Sequence, residues 1–311
     1  MLVENTMFGE RDKVKISIER IKFAYEVAQS RGLGALYVCF SGGKDSTVLA
    51  ELCRLAKEQY GVEYELHYNV TGIDPPELIY FMRENYRCIY NGKVLESTKN
   101  NSVDLHCDMY EKSMWQLIAE KKMPPTRIIR YCCAELKERG GEGRMCLTGV
   151  RRAESVKRSG RKEFEVITKN AKDKMLFNDN DEGRLGFENC TLKRKLVTNP
   201  IIDWDDEDVW EFIKGRKIPY CKLYNEGAKR LGCIGCPMQG TLGMLADFER
   251  YPKFKQLYIN AFDKMIDAYE DKSKYSWANG EDCFNWWVYG GNKNIDGQIG
   301  FDDLEDKGES E

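Results

Sequence analysis

The segment that most restricts the fold of this chain is Ser41-Gly42-Gly43-Lys44-Asp45-Ser46. It stands between an apolar run, Ala35 to Phe40, and a stretch from Thr47 to Ala56 with helical apolar periodicity. Strand, glycine turn, helix is the implied order. Two glycines let the backbone turn sharply at the strand end, so backbone N–H groups and the N-terminus of the next helix can converge on an anion. Lys44 and the hydroxyls of Ser41 and Ser46 complete a phosphate cradle. The loop is not a Walker A motif, because the four-residue spacer between a first glycine and the Gly-Lys pair is missing. A tight βα turn lined with polar residues is the plainer reading of the same six residues.

The neighbouring sequence extends this pattern. Residues 14–30 put Ile16, Ile18, Ile21, Phe23, Ala24 and Val27 roughly on one side at helical spacing, with Gly32 and Gly34 as a stop. Tyr64 to Val70 reads as a strand ending in Thr71-Gly72-Ile73-Asp74-Pro75-Pro76-Glu77, whose prolines start a helix running to about Tyr86. Met145 to Thr148 is a further apolar piece that runs into Gly149-Val150-Arg151-Arg152. Strands alternating with helices, with special residues just after strand ends, predict an α/β fold: an open, mostly parallel sheet flanked by helices, with its site at the carboxyl edge. A mainly helical C-terminal part follows. The expected division is a nucleotide-binding domain over 1–162, a cysteine- and aromatic-containing region over 163–301 that completes the site, and an acidic tail over 302–311. Lys169 to Glu182 reads as a charged loop, and Asp205 to Ile213 as a helix whose first-turn carboxylates suit its dipole.

Charge narrows the function. Among 311 residues, 48 basic side chains face 51 acidic ones, which excludes a generally basic nucleic-acid-binding protein and leaves such a role to a local patch. The N-terminus carries both signs of charge without an apolar signal core, and the longest apolar stretch near it is far too short to span a bilayer, so a cytoplasmic location is expected. In that reducing compartment twelve cysteines argue for metal ligation, redox work or burial rather than a disulfide framework. Two histidines leave little room for His-based sites.

Cys132 and Cys133 are adjacent, and Cys233-Ile234-Gly235-Cys236-Pro237 is a CxxC placed 100 residues after Cys133. Four soft ligands favour an iron–sulfur cluster or tetrahedral zinc, and spacing alone leaves both open beside simple burial. Cys221 is a further candidate and Cys190 a weaker one, while Cys39 and Cys53 read as small core residues. Cys283 has aromatic neighbours and no cation placed to lower its pKa, so it reads as a buried thiol rather than a nucleophile. Arg151, Arg152 and Arg158 offer guanidinium forks to a phosphate or sulfate, the alternative being a solvated basic helix face. Arg161 and Lys162 with Lys193, Arg194 and Lys195 could track a phosphodiester backbone, although an ordinary surface is the plainer reading.

SGGKDS resembles the pyrophosphate loop of the PP-loop ATP pyrophosphatase superfamily, most of whose members cleave ATP to AMP and pyrophosphate. Cys132-Cys133, Ile218-Pro219-Tyr220 and Gly232-Cys233-Ile234-Gly235-Cys236 are similar to the tandem-cysteine and CxxC elements of the assimilatory adenylyl-sulfate reductases. Gly149-Val150-Arg151 with Ser155 is similar to the Gly-x-Arg-x-x-x-Ser element of the wider phosphoadenylyl-sulfate reductase family. The likeness spans roughly residues 30–240. It implies a [4Fe-4S] cluster held from among Cys132, Cys133, Cys221, Cys233 and Cys236. It also implies a nucleotide, ATP with Mg²⁺ or else adenylyl sulfate or its 3′-phosphate. Ser41 to Ser46, Thr71, Gly72, Asp74, Gly149, Arg151, Arg152, Ser155 and Arg158 would bind it, with Lys44, Asp45 and Arg151 in catalytic roles.

The family's C-terminal Glu-Cys-Gly-Leu-His segment, which carries the nucleophilic thiol of the reductases, has no counterpart in the sequence. The expectation therefore moves to relatives that serve DNA phosphorothioation or thiolate tRNA, in which ATP adenylylates an oxygen and a sulfur nucleophile displaces AMP. The expected function is ATP cleavage that activates a substrate, nucleic acid foremost, for sulfur transfer. The alternatives are a sulfonucleotide reductase releasing sulfite, and a non-catalytic nucleotide or nucleic-acid sensor with a structural metal site. Expected partners are the nucleotide, a nucleic acid, a sulfur or electron donor protein and a second copy in a homodimer, with no membrane.

Overall fold

In the computed structural model of the chain, which describes residues 2–6, 9–154, 156–167, 175–177, 195–269 and 277–290, an antiparallel pair of strands leads into the first helix. These are β1 (Val3–Thr6), β2 (Gly9–Asp12) and α1 (Lys13–Ser30). Asp12 caps α1 by accepting from the backbone N–H of Val14 and Lys15, at 2.9 and 3.0 Å. Ile18, Ile21, Ala24 and Ala28 are the buried stripe that the periodicity predicts.

Next come β3 (Leu36–Cys39), α2 (Lys44–Tyr60), β4 (Tyr64–Val70), α3 (Pro76–Asn85), β5 (Arg87–Tyr90), β6 (Lys93–Val94) and β7 (Asp104–Met109). After α4 (Met114–Lys121) and α5 (Tyr131–Leu136) the chain returns with β8 (Met145–Leu147), α6 (Val156–Ser159), β9 (Phe164–Ile167), β10 (Met175–Phe177), β11 (Lys195–Thr198) and α7 (Asp206–Gly215). Three helices close the described chain: α8 (Gly240–Arg250), α9 (Pro252–Asp267) and α10 (Gly280–Tyr289).

Among the described residues nine strands form one sheet in the order β10-β9-β11-β8-β3-β4-β7-β5-β6. The six from β11 to β5 run parallel, and β9, β10 and β6 are antiparallel additions at the two edges. This is the open, mostly parallel α/β sheet expected from the alternation of strands and helices. Leu36 and Val38 of β3, Leu66 and Tyr68 of β4, Leu105 and Cys107 of β7, and Met145 and Leu147 of β8 all enter the main core, as a period of two requires. The alternate positions form the opposite face, where Tyr37, Cys146 and Val197 make a small second buried cluster, Tyr37 stacks on His67 with ring centroids 3.9 Å apart and His67 on His106 at 4.9 Å. Asp108 accepts from His67 Nδ1 at 2.8 Å.

The chain divides into two compact units, and neither is continuous in sequence. The first takes Met1–Val70, Asp74–Tyr110 and Leu136–Leu231, the second Thr71–Ile73, Glu111–Glu135 and Gly232–Glu311. The boundary expected at residue 162 therefore falls inside the first unit. The reason is strand pairing: β11 lies parallel to β8, so the segment after 162 finishes the sheet instead of starting a new core. The charged loop expected over residues 169–182 contains β10, paired with β9; its flanks and the acidic tail lie outside the described residues. In the second unit, Phe284 and Trp287 of α10 pack with Phe248 of α8 and Tyr258 and Phe262 of α9. The aromatic residues of α10 are thus largely spent on that unit's own core. Among the described residues no helix is long and apolar enough to cross a membrane.

Candidate functional site

The glycine turn joins β3 to α2 as its sequence predicts. Gly42 has φ +71°, and a Cβ built there would stand 2.6 Å from Leu78 Cδ1, so both the backbone and the space require glycine. Gly43 is the extended N-cap of α2 and brings no capping side chain of its own, and the first helical amide, that of Lys44, is met instead by a hydroxyl from far along the chain. Ser46 Oγ ties the turn together by accepting from Ser41 N at 3.2 Å and donating to Gly43 O at 2.9 Å.

Lys44 is 6% exposed, and its ammonium lies 3.1 Å from Asp206 Oδ1 and 3.3 Å from Lys229 O. Its backbone N–H donates to the Tyr224 hydroxyl at 2.9 Å. Burial pushes the Tyr224 phenol up, so it stays a neutral hydroxyl. Burial likewise raises the Asp45 carboxyl, against the opposing charges of Arg151 and Lys44. Burial would raise Asp206 too, but hydrogen bonds and charge from Lys44 and Arg151 hold it below the ordinary carboxylate range.

The element after β8 meets this loop directly. A Cβ on Gly149 would lie 3.0 Å from the carbonyl carbon of Asp45 and 3.2 Å from Ser46 N, so the glycine lets the exit of β8 approach the backbone at the start of α2 closely. Arg151, 2% exposed, spreads its guanidinium over three acceptors: Nε donates to Asp45 Oδ1 at 2.7 Å, Nη2 to Asp206 Oδ1 at 2.9 Å and Nη1 to Trp204 O at 3.4 Å. The three arginines expected to act together are held apart by different acids. Arg152 donates to Glu163 Oε1 at 2.9 Å and Arg158 pairs with Glu154, leaving Arg151 as the one of the three that touches the loop. Arg161 is likewise paired with Glu165, so the basic run is largely neutralised within the fold. Ser155, Cys190, Lys193 and Arg194 lie outside the described residues.

Sequence reasoning missed three residues here. Asp206 was legible only as a carboxylate in the first turn of a helix, and Tyr224 lies 180 positions from the amide it meets. Asn199, fully buried, donates from Nδ2 to Lys162 O at 2.7 Å and accepts from Thr148, tying the β8 exit to the chain before β9. The Asn-Pro dipeptide was the only signal for it.

The second unit holds the cysteine constellation. The turn after β4 enters it: Ile73 N donates to Thr71 Oγ1, and Ile73 O accepts from Ile234 N at 2.8 Å, within the CxxC itself. Gly72 takes φ +74° in that turn. Asp74, back in the first unit, accepts from the Tyr68 hydroxyl. Gly235 N and Gln239 Nε2 both donate to Asp247 Oδ2 at 2.8 Å, and Cys236 N donates to Cys233 O, so the CxxC turn is built by its own hydrogen bonds. Arg127 Nε, donating to Pro237 O at 3.1 Å, joins the segment before Cys132 to the segment after Cys236.

Among the described residues no three Cys, His, Asp or Glu side chains are drawn together as ligands of one metal ion. The four thiols nevertheless share one electrostatic neighbourhood. The Cys132 thiol is pushed well up by its hydrogen bond with Cys133, then by burial, then by the charges of Cys133, Cys233 and Cys236. Four thiolates in such an arrangement repel one another until a cationic centre neutralises them, and a soft donor set of four sulfurs fits an iron–sulfur cluster. Cys221 departs from the expected set. It is 1% exposed in the main core of the first unit, with burial as the largest cause of its raised pKa, whereas the other four belong to the second unit. Cys283 is fully buried, as expected of a structural thiol.

Known proteins resemble the chain over most of this framework. A family model described as the phosphoadenosine phosphosulfate reductase domain matches residues 35–239. An uncharacterized protein of Methanocaldococcus jannaschii is 26% identical over 275 residues, 86% of this chain and 56% of its own length, so the chain spans little more than half of that relative. An adenosine 5′-phosphosulfate reductase of Oceanobacillus iheyensis is 26% identical over 233 residues, covering 70% of this chain and 76% of that one. Among solved structures, phosphoadenylyl-sulfate reductase from Candida auris in a phosphate complex aligns with TM-score 0.42 and 15% identity over 70% of this chain and 87% of that one.

Proposed function

Because this chain belongs to the phosphoadenosine phosphosulfate reductase domain family, we propose that it is a PP-loop enzyme that cleaves ATP to AMP and pyrophosphate in order to activate an acceptor for sulfur transfer. The observation that carries this reading is the placement of Lys44 and Arg151 together at the N-terminus of α2, with Asp45 and Asp206 holding both cations in place. Fixed positive charge at that point is what a departing pyrophosphate needs. An acceptor oxygen attacks the α-phosphorus, the bond to the β-phosphate breaks, and pyrophosphate leaves with its electron pair. A sulfur nucleophile then displaces AMP, which departs with the former acceptor oxygen.

The residues divide this work. The glycine turn offers backbone N–H groups to the pyrophosphate, and Lys44 supplies a point charge on a flexible stem. Arg151 supplies a rigid fork held by Asp45. Mg²⁺ would arrive with the triphosphate. Cys132, Cys133, Cys233 and Cys236 would hold a [4Fe-4S] cluster, which when bound supplies sulfur or electrons. The nucleic-acid acceptor and the sulfur or electron donor protein belong to this same proposal.

A second reading, reduction of adenylyl sulfate or its 3′-phosphate, is favoured by the name of the Oceanobacillus iheyensis relative. The two separate in one experiment. Anaerobically prepared full-length protein is given ATP and Mg²⁺, or adenylyl sulfate and a thiol reductant, and pyrophosphate and sulfite are assayed side by side. Pyrophosphate without sulfite is the expected result; sulfite without pyrophosphate overturns the ATP reading in favour of the reductase.

A further inference from the structure

Next to the phosphate loop, the first unit opens into a cleft of about 550 Å³ whose aromatic wall and outer lysines the ATP reading does not use. Trp210 of α7, Tyr220 and Tyr224 form its aromatic wall, with Lys214, Asn225 and Lys229 around them. The rings meet near-perpendicularly: Trp210 to Tyr220 at 5.2 Å and 80°, Trp210 to Tyr224 at 5.3 Å and 82°. Edge-to-face packing fixes such a wall, and the Tyr220 hydroxyl is pinned by donating to Asn225 Oδ1 at 3.0 Å. Two members of the cleft also hold the loop, since the Tyr224 hydroxyl accepts from Lys44 N and Lys229 O from Lys44 Nζ. An occupant of the cleft therefore sits beside the residue that faces the nucleotide phosphates.

The chemistry of the walls selects the occupant. Half-buried aromatic rings bind flat π-systems, and exposed lysines at the rim bind phosphate. A cage of three rings also suits an organic cation. Here, however, the carboxylate that lines the cleft, Asp206, is already shared by Lys44 and Arg151, so the remaining charge of Lys214 and Lys229 is positive.

We propose that this cleft is the acceptor site and that it takes a nucleobase together with its adjoining phosphate, the base stacking on one ring of the wall formed by Trp210, Tyr220 and Tyr224 with its edges toward the others, and the phosphate on Lys214 and Lys229. What happens to that acceptor rests on the ATP reading above; its binding does not. The same chemistry is presented by a nucleotide unit within single-stranded nucleic acid and by a free mononucleotide.

The test uses the full chain, a short fluorescein-labelled single-stranded oligonucleotide, and CMP as the free mononucleotide, with ATP affinity and ATP cleavage measured on the same preparations. Lys214→Glu alters an exposed side chain of α7, so it keeps the test decisive if Trp210→Ala fails to fold. The expected result is oligonucleotide binding weakened at least tenfold by either variant, with a shallower salt dependence in Lys214→Glu and ATP affinity changed less than twofold. Binding of CMP alone, lost in the same variants, supports the site with a free nucleotide as its source. Affinity unchanged by Lys214→Glu, absence of binding by both probes, or equal weakening of ATP overturns the proposal. Oligonucleotide binding that depends on Lys214 in a protein that does not cleave ATP overturns the ATP reading alone, and ATP cleavage without such binding overturns the cleft alone.

Discussion

Arg151 donates from Nε to Asp45 Oδ1 at 2.7 Å, so the cation that follows β8 is latched to the first turn of the helix that follows β3. Two strand ends that are neighbours in the sheet are thereby locked at their carboxyl edge. Lysine cannot replace this arginine, because one ammonium cannot reach Asp45, Asp206 and Trp204 O in a single geometry. Arg151→Lys is expected to lower kcat/KM for ATP by about tenfold or more. Arg151→Ala, which strands Asp45, is expected to cost about 3 kcal/mol of stability as well. Steady-state kinetics and urea unfolding separate the two effects.

Asp206 restrains both cations while being largely exposed itself. Its removal frees positive charge at the loop. Asp206→Ala is expected to tighten pyrophosphate binding by about twofold to fivefold, within the range of exposed ion pairs. Turnover is expected to fall, since Lys44 loses its orientation. Isothermal titration with pyrophosphate, alongside kinetics, reads both.

A methyl group at Gly149 would press on the backbone of Asp45 and Ser46 at 3.0–3.2 Å, where no flexible side chain can give way. Gly149→Ala is expected to destabilise the protein by about 1–3 kcal/mol. It is also expected to weaken nucleotide binding, because the displaced atoms are those of the phosphate loop. A glycine-to-alanine change at Gly160, where a Cβ meets nothing within 4 Å, is the control.

The cysteine set is tested by metal content. Serine at Cys132, Cys133, Cys233 or Cys236 is expected to abolish most of the iron and acid-labile sulfide bound after anaerobic reconstitution, since each removes a thiolate from the shared neighbourhood. Cys221→Ser is expected to retain both, at some cost in stability from its buried position.

Cys283 gives the pH dependence. Burial pushes its thiol from 9.0 up to about 12, helped by the charges of Asp282 and Asp263. A folded-state pKa above the unfolded one means that the neutral thiol contributes stability below pH 9 and that this contribution fades as pH rises from there toward 12. Native protein is therefore expected to resist iodoacetamide at Cys283 at pH 8, and Cys283→Ala to lose less stability than the parent between pH 9 and 11. Peptide mass spectrometry and alkaline urea titrations provide the readings.

Much of the framework was legible because it is local. Ser41 to Ser46 and Gly149 to Arg151 follow apolar strands directly, which marks both in the sequence even though the atoms that crowd Gly42 and Gly149, those of Leu78 and of Asp45, lie far along the chain. The CxxC turn is equally local, held by bonds among Cys233, Gly235, Gln239 and Asp247. Tyr224 and Asp206 were not legible as site residues. A tyrosine in a polar loop and an aspartate in a first helical turn look alike whether or not a distant amide or ammonium meets them. The boundary expected at 162 failed for a related reason, since parallel pairing of β11 with β8 leaves no mark in the spacing of either strand.

The second unit draws its thiols from two stretches of chain, with Cys133 and Cys233 separated by 100 residues. During synthesis the first pair leaves the ribosome roughly 5–20 s before the second, at ordinary elongation rates. For that interval an adjacent dithiol exists without the second pair, open to stray metal ions and to oxidants. Under the cluster proposed above, maturation would be a race between translation and thiol chemistry, and the yield of loaded protein in a host is expected to depend on elongation speed and oxygen tension as much as on iron supply.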